Sequence, residues 1–290
     1  MKNLSKVVLT GVWLALGFGV SGREKAKDNS LLWRISNKDM KKPSYLFGTM
    51  HMICPDDYVW TDAMKTSLKT AEAVCFVMDL DAPDMFMEIA KGMLNNSGKR
   101  LKDYFSEEDY AKISTYLADS MGVDISMFEQ MKPAAIQSLI TEKTFSCPSP
   151  VSYEVNIMQE AQRDKKEILG LETPAEQLDL FDNLPVDSVI SELLMMVQGK
   201  DENRDDYAEL ITAYKTQDLP RLNNLIQRSA SKDIDLGGFL DTRNEKWVPR
   251  MVEQMDQRSI FFAVGAGHLW GDNGLITLLR KAGYKVEPVK

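Results

Sequence analysis

The chain has 290 residues and more acidic than basic side chains, 43 Asp and Glu against 35 Lys and Arg, which gives a net charge of −8. A chain of this length can bury a large core in one domain or two. The acidic balance argues against a nucleic-acid-binding surface, which normally carries a basic stripe. No run of eighteen apolar residues occurs in the body of the chain, so no membrane-spanning helix is expected there.

The N-terminus has the order of features of a secretory signal peptide. Two lysines precede the apolar stretch Val7–Val20, which small residues and then a polar segment follow. We therefore expect residues 1–22 to be cleaved and residues 23–290 to form an exported protein, periplasmic or secreted. The alternative is an uncut anchor, with membrane contact only through this segment. No cysteine follows the apolar stretch, so a lipid-anchored lipoprotein is not expected.

Hydrophobic periodicity predicts secondary structure along the rest of the chain. Short apolar runs predict six strands, at Leu31–Ser36, Ser44–His51, Ala73–Leu80, Glu167–Glu172, Ile260–Gly267 and Tyr284–Val289. Apolar residues at helical spacing predict eleven helices, at Thr61–Thr70, Asp84–Leu94, Ser106–Ser120, Pro133–Thr144, Tyr153–Arg163, Thr173–Phe181, Val186–Gln198, Arg204–Thr216, Leu219–Arg228, Leu240–Asp256 and Asn273–Ala282. The expected fold class is α/β (α+β). A central mixed sheet of N- and C-terminal strands would carry a helical lobe at roughly residues 84–256, within a single domain.

Three cysteines bear on the redox environment. Cys54 and Cys147 lie next to prolines in predicted loops, so a bridge between them is compatible with an oxidising compartment. The sequence does not decide between this bridge and free thiols. Cys75 lies inside an apolar run and is expected to be a small buried hydrophobic residue.

The chain has only two histidines, and each follows a glycine at the same spacing. The first frame is Gly48-Thr49-Met50-His51 and the second is Gly265-Ala266-Gly267-His268, and both close a predicted strand. Glycine allows close backbone approach, and ligands of open α/β sheets collect beyond the carboxyl ends of the strands. Imidazole is favoured for metal binding and for proton transfer near neutrality. The pair therefore predicts one shared site, whereas either histidine alone would more simply be a structural residue of a turn.

Two imidazoles do not complete a metal site, because catalytic zinc usually has three protein ligands and a water. Carboxylates at other strand ends are candidates for the third ligand: Asp79, with Asp81 close by, and Glu172. Solvated strand ends or helix caps explain these acidic residues equally well. Two imidazoles with one or two carboxylates would suit manganese, cobalt, iron or zinc.

The sequence resembles the TraB/GumN family, which includes the Tiki proteases and is distantly similar to erythromycin-esterase-like and ChaN-like haem-binding proteins. The motifs that carry the resemblance are the string Ser44–His51, the tail from Gly265 to Tyr284, Gly170-Leu171-Glu172-Thr173 with Gln177, and Arg243-Asn244 with Trp247. The resemblance implies a metal-dependent hydrolase fold with His51 and His268 in the site. It also implies a glutamate on the second core strand, as a ligand or a general base.

This chain departs from the family pattern at that glutamate. The family's Glu-x-Asp would align with Val77 and Asp79, so Asp79 with its shorter reach, or Glu172, would have to supply the carboxylate. Without such a replacement, full activity would be lost. Glu154 stands where the family often has an acidic residue that opens a helix, although a role at the helix N-terminus explains it equally well.

The first functional hypothesis is an exported metal-dependent hydrolase, most plausibly a peptidase, that acts on a peptide or small-molecule substrate with manganese, cobalt or zinc. His51, His268 and Asp79 would hold the ion, Asp79 or Glu172 would take the proton of the attacking water, and Arg243 would stabilise the oxyanion. The other interpretation of Arg243 is a surface ion pair worth about 0–1 kcal/mol. The supporting motif residues are Gly48, Gly265, Glu154 and Asn244.

The second hypothesis belongs to another class. The same histidines could serve a protein that binds haem, metal or a peptide without turnover, or a pseudoenzyme whose helical lobe contacts a partner. The missing glutamate favours this alternative, and the presence of both histidine frames suits either hypothesis.

Overall fold

The computed structural model describes residues 29–143, 147, 149–199, 204–229 and 237–290. The predicted signal peptide lies outside these residues. Six strands form one mixed sheet in the order β4-β3-β5-β2-β1-β6. They are β1 Leu32–Ser36, β2 Ser44–Thr49, β3 Ala73–Met78, β4 Glu167–Glu172, β5 Ile260–Gly265 and β6 Lys285–Pro288. β2, β5, β3 and β4 pair in parallel, whereas β1 runs antiparallel to both β2 and β6.

The described residues contain eleven α-helices, one for each predicted segment. They are α1 Asp62–Thr70, α2 Met85–Gly92, α3 Glu107–Met121, α4 Pro133–Lys143, α5 Tyr153–Arg163, α6 Pro174–Asp182, α7 Val186–Val197, α8 Arg204–Lys215, α9 Leu219–Ser229, α10 Thr242–Gln257 and α11 Leu275–Lys281. The mixed α/β fold class is therefore confirmed. None of the helices in the described part is long and apolar enough to cross a bilayer.

Four strands end earlier than predicted, β2, β3 and β5 by two residues and β6 by one. β2 ends at Thr49 and β5 ends at Gly265, because Thr49 and Gly265 are the last pair of their shared ladder. β3 ends at Met78, opposite Glu172. His51, His268 and Asp79 therefore lie in the connections that follow the strands, where side chains are not held in the alternation of a sheet.

The main core surrounds the sheet. All but the last residue of β5 are buried, as expected for a central parallel strand with both faces covered. Phe47 of β2 and Phe76 of β3 are also buried, and α10 packs Trp247 and Met251 against the same core. Burial of these aromatic side chains stabilises the strands that lead to the two histidines.

The helical lobe has a second, smaller core. Its buried residues come mainly from α3, α4 and α7 and are Leu101, Ile113, Leu117, Ile125, Ile136, Ile140 and Leu193. This cluster is separate from the sheet core. The assignment of the lobe and the sheet to a single domain remains a prediction.

A disulfide joins Cys54 to Cys147, with their Cα atoms 5.8 Å apart. The pairing that the sequence left open is therefore present. Cys75 is buried in β3, as expected for a small hydrophobic residue, and burial raises the pKa of its thiol. A thiol with a raised pKa is a poor nucleophile, so Cys75 is suited to packing rather than to catalysis.

Candidate active site

The sheet topology brings the two histidine frames side by side. β2 and β5 are parallel neighbours, with Gly48 opposite Val264 and Thr49 opposite Gly265. Neighbouring strands lie about 4.8 Å apart. The connections that carry His51 and His268 therefore leave the sheet at the same edge, the carboxyl ends of its parallel strands, where α/β proteins bind their ligands.

Close packing explains the glycine of the first frame but not that of the second. A Cβ atom on Gly48 would lie 3.0 Å from Leu269 Cδ2 and 3.1 Å from Ala266, so a larger residue would push the frames apart. A Cβ atom on Gly265 would meet only His268 Cδ2, at 3.6 Å, which is ordinary contact. The expectation that both glycines allow close backbone approach therefore holds for Gly48 alone.

His268 is buried, and Asn244 fixes its orientation. His268 lies in a 3-10 turn at Ala266–His268 and is 5% exposed. The Asn244 amide nitrogen donates to the backbone oxygens of His268 and Asn273, so its Oδ1 faces His268 Nδ1, at 2.7 Å. Because an amide oxygen can only accept, this arrangement assigns the ring proton to Nδ1. Nε2 then carries the lone pair, and Arg243 Nη1 contacts it at 3.5 Å.

Arg243 and Glu172 form a buried ion pair beside His268. Arg243 Nε lies 2.8 Å from Glu172 Oε1, and Arg243 Nη2 lies 2.9 Å from Glu172 Oε2. Trp247 Nε1 donates to Glu172 Oε1 and Gln177 Oε1 accepts from Arg243 Nη2. The side chains of Arg243 and Glu172 are only 7% and 5% exposed. The interpretation of Arg243 as a surface ion pair is therefore wrong, because α10 buries it against the end of β4.

One nitrogen of Arg243 has a different environment. Nη1 lies 3.5 Å from His268 Nε2, and the Trp247 ring packs against the His268 ring with centroids 4.3 Å apart. Glu172 holds the other two guanidinium nitrogens, so Nη1 is the one directed at the imidazole. A polar substrate atom near Nε2 would therefore also lie within reach of a cationic donor.

His51 is held by Glu154, a residue from a distant part of the chain. His51 Nδ1 lies 3.1 Å from Glu154 Oε1, which also accepts a 2.6 Å hydrogen bond from the Thr49 hydroxyl. The Ser152 hydroxyl, which caps α5, donates to Glu154 Oε2 at 3.0 Å. The His51 side chain is 81% exposed, whereas that of Glu154 is 14% exposed. A nearly buried carboxylate thus orients an imidazole that faces solvent.

The two imidazoles titrate in opposite directions. Burial, and then repulsion from Arg243 and His51, lowers the pKa of His268 well below its usual value of 6.5. The hydrogen bond to Glu154, together with the charge of that carboxylate, raises the pKa of His51 above its usual value. Burial raises the pKa of Glu154, but hydrogen bonds and charge from His51, with Thr49, outweigh it and bring that pKa to about 2. His268 is therefore neutral near pH 7, and Glu154 is ionised.

In the part of the chain that the structure describes, neither Asp79 nor Glu172, the carboxylates favoured from the sequence, forms a hydrogen bond or ion pair with a histidine. Asp79 Oδ1 accepts from the Asp81 amide at 3.3 Å, and burial and Asp81 raise its pKa. Glu172 is occupied by Arg243 and Trp247. Within the described ranges, no group of three or more His, Cys, Asp or Glu side chains is arranged to hold a metal ion. The expected set of His51, His268 and Asp79 is therefore not assembled there.

The histidines themselves suit a metal ion. Metal-binding histidines usually donate the second ring N–H to a carboxylate or another oxygen, which fixes the tautomer and orients the ring. Both rings have such a partner on Nδ1, Glu154 for His51 and Asn244 for His268. Nε2 of His51 is then left for a ligand, whereas Nε2 of His268 faces Arg243 Nη1 at 3.5 Å, a contact that an ion would have to displace. The described residues fit a two-imidazole site whose remaining positions would be filled by water or substrate.

The chain is similar to proteins of one known family. The sequence profile described as the TraB/PrgY/gumN family matches residues 31–288. Metalloprotease TIKI1 of Danio rerio is 25% identical over 89% of this chain and 63% of its own length. Metalloprotease TIKI1 of Homo sapiens is 23% identical over 91% of the chain and 63% of its own length. The chain thus spans about 63% of the length of these relatives. No solved structure gives a significant match.

Proposed function

The chain belongs to the TraB/PrgY/gumN family, and from that premise we propose that it is a metal-dependent hydrolase of peptide bonds. Its relatives are named metalloproteases, and these names support a divalent metal and a peptide substrate. The observation that carries the proposal is the matched pair of imidazoles, each with Nδ1 held by an oxygen so that Nε2 carries the lone pair. Manganese, cobalt and zinc are the candidate ions.

His51 and His268 would hold the ion through Nε2. A divalent ion in this position would polarise a peptide carbonyl and make a nearby water a better nucleophile. Asn244 and Glu154 keep both rings in the tautomer that ligation requires. Because Glu154 is ionised near neutrality, its hydrogen bond to Nδ1 would also make the His51 ring a stronger ligand.

Arg243 would act on the substrate oxygen rather than on the water. Glu172 and Gln177 hold its Nε and Nη2, so the guanidinium is fixed before substrate arrives. Nη1 is left to donate to an oxyanion that forms near His268 Nε2. In this assignment Glu172 positions Arg243, and the earlier alternative of Glu172 as the general base is not retained, because both of its oxygens are engaged.

A specific observation favours the second candidate function, a protein that binds metal, haem or a peptide without turnover. Both acidic side chains that the structure describes next to the histidines are engaged: Glu154 accepts from His51, Thr49 and Ser152, and Glu172 accepts from Arg243 and Trp247. A two-imidazole site without a free carboxylate is better suited to binding than to deprotonating a water.

Metal analysis followed by peptide hydrolysis separates the two functions. The purified protein is stripped with a chelator, reloaded with Mn²⁺, Co²⁺ or Zn²⁺, and assayed on a panel of unstructured peptides. We expect one bound ion per chain and metal-dependent cleavage that His51→Ala and His268→Ala each abolish, while the control variant Arg34→Gln, far from the site, retains it. One bound ion with no cleavage by any metal form would favour the binding function.

A further inference from the structure

The two chain segments that carry His51 and Glu154 are joined by the disulfide. Cys54 follows His51 by three residues and Cys147 precedes Glu154 by seven, although 93 residues separate the two cysteines. Between the disulfide and the site, Ile53 and Val151 form an isolated antiparallel bridge with hydrogen bonds of 2.9 and 2.8 Å. The bridge and the disulfide hold the first-frame loop against the N-terminus of α5.

The first frame has less support from packing than the second. His268 is buried against Trp247 and fixed by Asn244, so the core determines where its ring lies. The His51 side chain is 81% exposed, and Glu154 is the polar partner that holds it. A loop side chain without a packed environment is free to leave its partner unless the backbones on both sides are restrained.

We propose that the Cys54–Cys147 disulfide is a positioning element for His51. It keeps the His51 ring against Glu154 and so at a fixed place relative to His268. The inference rests on the proposed function, because it assigns a restraint to that same site. Two backbone hydrogen bonds can open and close, whereas a covalent link sets an upper limit on the separation of the two segments. Disulfides persist in oxidising compartments, where the N-terminal sequence pattern predicts that the protein resides.

Histidine nitrogen NMR on the metal-free protein tests this proposal without any assay of catalysis. The chain has two histidines, so ¹⁵N-labelled histidine gives four ring-nitrogen signals, which His51→Gln assigns. The test variant is Cys54→Ala/Cys147→Ala, and the matched control is Cys75→Ala, which removes a cysteine outside the disulfide. We expect the His51 signals to move or broaden in the test variant only, while the His268 signals stay in place. Zn²⁺ binding should weaken by about tenfold, the effect typical of disturbing a ligand's supporting partner.

Reduction of the native protein provides a second arm that does not depend on folding of the variant. Dithiothreitol reduces the bridge by two electrons, which gives two cysteine thiols and the oxidised cyclic reagent. The same selective change at His51 should follow. Unchanged signals for both histidines in both arms would overturn the proposal. Joint loss of the His51 and His268 signals would also overturn it, because the bridge would then be a general staple of the fold. If Zn²⁺ does not bind at all, the proposed function fails, but the His51 signals still decide the inference.

Discussion

The two histidines occupy equivalent sequence frames on neighbouring strands and yet have opposite environments. His268 is buried, neutral and oriented by a neutral amide, beside the charge of Arg243. His51 is exposed and oriented by an ionised carboxylate that raises its pKa. The same local motif therefore yields a buried ring supported by the core and an exposed ring supported by a loop. One side of the proposed site is rigid before ligand binds, and the other side faces the solvent from which substrate arrives.

The largest expected effect comes from the buried side of the site. In Glu172→Gln the Arg243 guanidinium loses its counter-charge, and removing one partner of a buried ion pair costs about 3 kcal/mol or more. The matched control is Glu287→Gln, whose pair with Arg34 is 46% and 42% exposed and is worth less than about 1 kcal/mol. Urea unfolding of the metal-free variants measures both. Equal losses in the two variants would contradict the buried character of the Arg243 pair.

The second expected effect concerns the residues that orient the imidazoles. Glu154→Gln and Asn244→Ala should each weaken Zn²⁺ binding by about 10- to 100-fold, because each disturbs the partner of a ligating ring. Glu160→Gln on the same helix should leave binding unchanged. Isothermal titration calorimetry measures the three affinities. If only Asn244→Ala weakens binding, the exposed His51 is not a ligand and the comparison reduces to one functional histidine.

The third expected effect is a pH dependence of opposite sign for the two rings in the metal-free protein. The folded-state pKa of His268 lies below the unfolded value, so its contribution to the free energy of unfolding is present above about pH 6.5 and falls as pH decreases. The slope is at most about 1.4 kcal/mol per pH unit. The folded-state pKa of His51 is raised, so its contribution is present below about pH 6.5 and is lost as pH rises through the folded-state value.

His268→Gln and His51→Gln each remove one of these contributions, which is then read as the difference from the parent. Between pH 7.5 and 5.5, His268→Gln should lose less stability than the parent, and His51→Gln should lose more. Denaturant unfolding at several pH values gives both differences. The same sign in both variants would show that the two rings do not differ in environment.

Much of the fold was predictable from the sequence, because its elements are locally encoded. The six apolar runs formed the six strands, and each predicted helix is present, with boundaries shifted by a few residues. The strand ends at Thr49 and Gly265 were misjudged because they depend on the last pair of a parallel ladder between segments over two hundred residues apart. Local periodicity carries no information on where such a ladder ends.

Only part of the site was predictable, because only part of it is encoded in the local sequence. Both frames could be recognised as equivalent, but the partner of each carboxylate depends on long-range packing. Glu172 forms an ion pair with Arg243, 71 residues away, and Glu154 rather than Asp79 lies against His51. One signal in the sequence pointed to Glu154. A bridge between Cys54 and Cys147 places the segment before Glu154 next to the loop of His51, and that consequence follows only once the pairing is known.

Zn²⁺ titration of the protein labelled with ¹⁵N-histidine shows whether the two imidazoles form one site. We expect the Nε2 signals of His51 and His268 to shift together, with the same saturation at one ion per chain, while both Nδ1 nitrogens stay protonated. A shift of the exposed His51 alone, or saturation of the two rings at different zinc concentrations, would contradict a shared site.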